Sequence, residues 1–253
     1  MDLELGYSIL LHILFFGGAF LFAAVGMGGA SLYIPLMYIF GYDLDTIPTT
    51  CLLLNLVVAA ISLFNFRRYF VGRYFWPFAA ASVPAAYLGG LLNVAETVFV
   101  LIVVIVLSIT AWRLFTTPGV EKPGGRLTYG QAITIGLPVG GAMGFVSGII
   151  GIGGGIFLSP LLLMARLVTP RNAAAVAAAF IVVNSAAALG AHLAAGDPIS
   201  RATPTLLLVT VAGGQFGGRL GARRLPPGVM QKVLAAVVII VAAKMVASLV
   251  GWF

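Results

Sequence analysis

The sequence predicts an all-α multi-pass membrane protein made of two inverted-topology repeats, and three observations lead there. Of its 253 residues 61% are hydrophobic and only 8% charged, whereas a soluble globular chain is nearer a quarter charged. Apolar stretches of membrane-spanning length recur along the chain, separated by short polar segments. Two glycine clusters, VGMGGASLYIP at 25–35 and GIIGIGGGIFLSP at 148–160, align at a fixed offset of 125 positions, and each ends in a proline, Pro35 or Pro160.

Segments of spanning length fall at about 7–25, 47–66, 74–92, 97–115, 129–150, 173–194, 203–222 and 230–250, each near the roughly 20 residues that a bilayer core requires. Two shorter ones, 30–40 and 156–167, directly follow the glycine clusters. At about 1.5 Å per residue they reach only halfway across, so half-helices are expected. Each repeat is therefore a glycine-broken helical hairpin plus three spanning helices. The repeats occupy 1–116 and 129–253, joined by the polar, proline- and glycine-rich linker 117–128.

Charge decides whether each glycine break kinks a helix or reverses the chain. With reversal at both breaks and the N-terminus outside, 12 of the 14 basic residues fall on the cytoplasmic side, leaving Arg201 and Lys244 outside. Asp2, Glu4, Asp43, Asp45, Glu96 and Asp197 then lie outside, and Glu121 alone inside. Kinks with the N-terminus inside would instead move Arg166, Arg171, Arg219, Arg223, Arg224 and Lys232 outside. Reversal is the better fit. It gives each half an odd number of full crossings, hence opposite orientations, and puts both termini outside.

Composition excludes several classes. The net charge of +7 comes from basic residues scattered singly between apolar runs, not from a patch interleaved with aromatics, so no nucleic acid is implied. Cys51 is the single cysteine, which rules out an intrachain disulfide and a CxxC redox pair. The N-terminus opens with Asp2 and Glu4 and has no basic n-region, so the first apolar segment is expected to persist in the mature protein. No stretch is long enough for an internal ATP-driven motor. GIGGG lacks the GK[ST] ending of a phosphate-binding loop.

The glycine clusters carry the functional expectation. Inside a membrane, irregular backbone belongs where it is buried in protein or lines a watery cavity. Matched interruptions in two halves point to a transporter's substrate site, the alternative being close helix packing. Half-helices starting near Ala30 and Ile156 would face each other with unpaired N–H groups and positive dipole ends, an anion site made of backbone. Candidate substrate contacts are therefore Gly28, Gly29, Ala30 and Ser31 from the first cluster and Gly153, Gly154, Gly155 and Ile156 from the second, with Ser159 a further hydroxyl. Asn55 and Asn184 align on the following helices, and each amide could donate to an anion or bond between helices. Tyr87 and Gln215 align ahead of the pairs Gly89-Gly90 and Gly217-Gly218.

His12 and His192 are the groups that titrate near neutrality, the candidates for protons as a coupling ion. No acid lies within a spanning segment, which argues against a cation or metal transporter. Ser147 with His192 could suggest an intramembrane protease, but Ser147 lies in the small-residue segment GFVSG and nothing else supports catalysis. No catalytic residue, metal ligand or cofactor is assigned.

The stretches AVGMGGASLYIPLM, GIIGIGGGIFLSPLLLMARLVTPRNAA and GGQFGGRLGARRLP resemble the sulfite exporter TauE/SafE family, also called TSUP transporters, over nearly the whole chain. The resemblance implies a transporter of the cell (inner) membrane that moves sulfite or organosulfur anions such as sulfonates and sulfoacetate, often by export. Ala30 stands where the second cluster has a third glycine. The expected protein is a secondary transporter with alternating access, the anion resting at the half-helix N-termini. A passive anion channel or a carrier of another small anion are the alternatives. With no cationic side chain at depth, a monoanion suits the site better than a dianion.

Overall fold

The computed structural model describes residues 2–92, 94–116, 124–125, 127–223 and 239. Among them there are nine α-helices and no strand: α1 (Asp2–Ala24), α2 (Ala30–Ile39), α3 (Ile47–Phe66), α4 (Trp76–Gly90), α5 (Glu96–Thr116), α6 (Tyr129–Ile150), α7 (Gly155–Met164), α8 (Pro170–Ala195) and α9 (Thr203–Arg223). The expected last span, 230–250, lies outside the described residues apart from Ile239. Leu44–Tyr69, Tyr129–Ile150 and Pro170–Ala195 are long and apolar enough to cross a membrane, with shorter apolar helices beside them. The fold is that of an all-helical membrane protein.

Helix ends follow local sequence. Thr128 caps α6 by accepting from the Gln131 N–H at 3.3 Å, while Gln131 Oε1 accepts from the Thr128 N–H at 2.9 Å, a reciprocal box that satisfies two of the orphan donors. α8 starts on Thr169, whose hydroxyl accepts from the Asn172 N–H at 3.4 Å, with Pro170 in the first turn. α4 is 15 residues long, shorter than the predicted span. The chain before it is spent in tight turns at Arg67–Tyr69 and Gly72–Tyr74, and Pro77 fixes its start.

α2 and α7 are half-helices of 10 residues each. Their starts, Ala30 and Gly155, keep the 125-residue offset of the sequence repeat. Both are buried over most of their length, as expected for helices apolar all round that sit inside a bundle.

The chain reverses at both breaks. Phe15 of α1 stacks on Tyr33 of α2 with ring centroids 4.7 Å apart, whereas a continuous helix over those 18 residues would separate them by about 27 Å. In the second half the Gly148 carbonyl lies beside His192, near the far end of α8. Gly155 packs against Ala177 and Ile181, near its middle. What α6 climbs along α8, α7 descends.

Three helix pairs build the bundle. α3 and α8 run antiparallel, with Asn55 beside Ser185 and Tyr69 beside Asn172. α1 and α9 run parallel in tight contact: side chains at Gly213, Gly217 and Gly221 would strike the carbonyl oxygens of Phe16, Phe20 and Ala24 in turn. α4 and α6 do the same, with Gly140, Gly144 and Gly148 against the carbonyls of Phe78, Ser82 and Ala86, and Gly89 against that of Phe145. The main apolar core lies between α1, α2, α3 and α5 and reaches both breaks through Met27 and Ile152.

Candidate functional site

The first break runs from the end of α1 to the start of α2. The Met27 N–H donates to the Phe22 carbonyl at 2.8 Å, and the Ser62 hydroxyl of α3 donates to the Met27 carbonyl at 3.2 Å. Gly29 takes φ 128°, a region essentially reserved to glycine. Tyr33, fully buried, reaches back so that its hydroxyl donates to the Gly28 carbonyl at 3.5 Å.

The second break begins when the Ser147 carbonyl accepts from the N–H groups of Gly151 and Ile152, at 2.9 and 3.2 Å. Gly151, Gly153 and Gly154 all have φ between 74° and 78°. α7 then starts at Gly155 with Gly154 as a cap that offers no side chain.

Both breaks meet at Asn55, which is fully buried in α3. Its Oδ1 accepts from the Ala30 N–H at 3.1 Å, the first turn of α2. Its Nδ2 donates to the Ile152 carbonyl at 3.0 Å and to the Ser185 hydroxyl of α8 at 2.9 Å. One amide thus satisfies freed backbone from both halves, which lipid could not do.

Gly28, Gly29, Ala30, Ser31, Asn55 and Ile156 line one small void, together with Phe22 and Ile181. Its volume of about 10 Å³ is room for one water at most. Gly153 borders the same place, since a side chain there would meet Asn55 Nδ2 and Ser185 Oγ. Gly154 and Gly155 lie alongside, against Phe180 and against Ile181 with the Ala177 carbonyl. Ser159 is buried on α7.

The other predicted contacts lie elsewhere. Asn184 is buried, but its Oδ1 accepts from Ser82 at 2.5 Å and its Nδ2 donates to the Phe180 carbonyl at 2.8 Å, tying α8 to α4. Tyr87 is 41% exposed on the outer face of α4. Gln215 lies between Asn65 of α3 and Arg219. Turned so that its oxygen faces the guanidinium, it accepts from Arg219 at 3.0 Å, the arrangement a permanently charged donor favours. His12 bonds the Ser8 carbonyl of its own helix at 2.7 Å.

Sequence reasoning missed Ser185, the actual partner of Asn55. It is the residue next to the predicted Asn184, and the antiparallel register of α3 and α8 is what selects it. Tyr33 and Ser62 were missed as well, since polar groups on apolar helices give no local signal of what they will meet.

Two cavities flank the site. One of about 520 Å³ is lined by Asp45, Glu96, His192 and Asp197. The other, about 590 Å³, is lined by Arg73, Tyr74, Asn172 and the linker glycines Gly124 and Gly125. Asn172 and His192 are 20 positions apart on α8, so about 30 Å separates the two ends. Acids gather at one end. Arg68 and Arg171 meet over Tyr69 at the other, as the charge reading expected of opposite faces. At the acidic end both ring nitrogens of the buried His192 face acceptors: Nδ1 is 2.7 Å from Asp197 Oδ2 and Nε2 is 3.1 Å from the Gly148 carbonyl.

Broken half-helices joined at depth in an apolar bundle, with a cavity at either end, are the build of a membrane transporter. The sulfite exporter TauE/SafE family matches residues 10–245, and the chain belongs to that family. It is 33% identical over 251 residues to the probable membrane transporter protein y4hK of Sinorhizobium fredii, covering 97% of this chain and 99% of that one. It is 26% identical over 129 residues to the probable membrane transporter protein YunE of Bacillus subtilis, covering 50% of this chain and 46% of that one. No solved structure matches significantly. The family and these relatives are named as transporters, not as enzymes.

Proposed function

We propose that the protein is a secondary transporter that moves sulfite or a small sulfonate-like anion across the cell membrane, in the export direction, by alternating access. The observation that carries this reading is the convergence of the two breaks on Asn55: two half-helices of equal length start at equivalent positions, Asn55 bonds the first residue of α2 and the loop that leads into α7, and the first turns of both line one void. Helix N-termini offer unpaired N–H groups and a positive dipole end, which suits an oxyanion in a site lacking cationic side chains. Gly28, Gly29, Ala30, Ser31, Asn55, Gly153, Gly154, Gly155 and Ile156 form that site.

Inverted repeats, 1–116 and 129–253 about the linker 117–128, are part of the proposal. Their support is a matched pair of contacts. Gly217 sits on the Phe20 carbonyl and Gly89 on the Phe145 carbonyl; adding 125 to Phe20 gives Phe145, and subtracting 128 from Gly217 gives Gly89. With the acidic cavity outside, the start of α1 lies outside, and the expected last span, 230–250, would bring the C-terminus to the same side. The closed void between two open cavities is then an occluded intermediate. Protons are the coupling ion in this reading, with His192 as the group that exchanges them.

The test is flux of radiolabelled sulfite in proteoliposomes, with methanesulfonate as competitor and trans substrate. Saturable uptake, inhibition by methanesulfonate and uphill counterflow are expected. Flux that never runs uphill against a counter-gradient would make the protein a passive channel. No flux of either anion would remove the substrate class.

A further inference from the structure

Ser147 is fully buried in the last turns of α6, and its hydroxyl has no hydrogen-bond partner. A helical serine ordinarily quiets its hydroxyl on the carbonyl one turn back, and an unpaired buried hydroxyl is unfavourable. Alanine would pack in GFVSG without that cost. The fold therefore gives no reason for the oxygen, and such orphan groups call for a functional explanation.

Its position supplies one. The Cβ and Oγ of Ser147 each lie 3.5 Å from where a side chain on Gly154 would begin. The hydroxyl thus borders the side-chain-free N-terminus of α7, a helix of 10 residues. At that terminus the N–H groups of Gly154 and Ile156 carry no hydrogen bond among the described residues. Three unspent donors, two on the backbone and one on Ser147, share one locality.

The repeat offset sharpens the point. Ser147 corresponds to Phe22, and Ile156 to Ser31; Phe22, Ser31 and Ile156 all line the void between the breaks. The first half places hydroxyl on the half-helix and hydrocarbon on the preceding helix, and the second half exchanges them. Each half supplies one hydroxyl, from a different element.

We propose that Ser147 is a substrate-binding residue: its Oγ–H donates to one oxygen of the oxyanion seated at the N-terminus of α7, while Ser31 serves another oxygen from α2. This rests on the anion-transport reading above. A ligand with at least two oxygens on one centre, such as sulfite or a sulfonate, can give each hydroxyl an oxygen of its own.

The experiment uses the full-length protein in proteoliposomes and in detergent. Ser147→Ala removes an unpaired group, so its thermal midpoint without ligand should equal or exceed that of the wild type. Its half-saturation for sulfite should rise about tenfold or more, the loss expected for one hydrogen bond to a charged group. A separate arm treats a Ser147→Cys, Cys51→Ala variant with an anionic sulfonate-bearing thiosulfonate reagent, with and without methanesulfonate. Labelling that methanesulfonate slows is expected. A Ser147→Ala half-saturation within twofold of wild type, or a lowered midpoint with unchanged half-saturation, overturns the proposal and makes the hydroxyl structural. If the wild type moves neither anion, the transport reading fails by itself. The thiol arm then decides Ser147: labelling that methanesulfonate slows keeps it as an anion contact, and labelling that methanesulfonate leaves unchanged, or no labelling, overturns it.

Discussion

Asn55 donates to the carbonyl of Ile152 at 3.0 Å, so a side chain in the first half of the sequence holds the chain break of the second. The same amide accepts from Ala30 and donates to Ser185. Asn55→Ala leaves the Ala30 N–H and the Ile152 carbonyl unpaired in a dry interior, at a cost of about 1–3 kcal/mol for each orphaned group. A lowered thermal midpoint and loss of flux are expected. Asn55→Asp keeps the acceptor but cannot donate to Ile152, and it brings negative charge to the proposed anion site. Its flux should fall further than its stability, and equal losses in both variants would limit Asn55 to a structural tie.

The tight helix pairs give a test with built-in controls. An added Cβ on Gly217 falls on the Phe20 carbonyl, and on Gly89 it falls on that of Phe145. Backbone must move, so Gly217→Ala and Gly89→Ala should each destabilise by about 1–3 kcal/mol. The two should behave alike, because they occupy equivalent contacts. Gly17 and Gly190 have nothing within 4 Å, so alanine there should be neutral or gain up to about 1 kcal/mol from helix propensity. Thermal unfolding in detergent reads all four.

Gly154 carries both a backbone and a packing demand. Its φ of 74° costs an L-residue about 1–2 kcal/mol, and a side chain would approach Phe180 at 3.0 Å. Gly154→Ala should fold with a modestly lowered midpoint. Its sulfite flux should fall by at least tenfold, because the substitution displaces the α7 N–H groups proposed to hold the anion. Flux that tracks stability alone would remove Gly154 from the site.

Much of this is legible in the sequence alone. Glycine clusters with matched prolines placed half-helices at 30–40 and 156–167, and the structure has them at Ala30–Ile39 and Gly155–Met164. Scattered charges implied reversal, which the Phe15–Tyr33 stack requires. Even the missing third glycine resolves simply. Both half-helices start at that position, and Gly155 must be bare only because α8 presses on it. The directions of side chains were not legible. Alignment makes Tyr87 and Gln215 equivalent, but it does not say which way an equivalent pair faces. Asn184 matches Asn55 in sequence and yet bonds Ser82 instead of a break, because its partners are set by how α4 packs on α8. The orphan hydroxyl of Ser147 likewise exists only once Gly154 is folded beside it.

His192 joins the acidic cavity to the end of α6. Its ring stands between the Asp197 carboxylate and the Gly148 carbonyl, and only a ring protonated on both nitrogens can donate to both. The other charged groups lining that cavity are Asp45, from the turn before α3, and Glu96, at the start of α5. Every charged neighbour of the ring there is acidic. His192→Gln keeps one donor and loses the other, so a loss of about 1–3 kcal/mol is expected for the carbonyl or carboxylate left behind. If His192 exchanges the coupling proton, His192→Gln should also stop responding to an imposed pH gradient while sulfite–methanesulfonate counterflow continues. His12→Gln should change neither, since His12 bonds only within its own helix. A gradient response that survives in His192→Gln would place proton exchange at another group and leave His192 as a tie between α6 and α8.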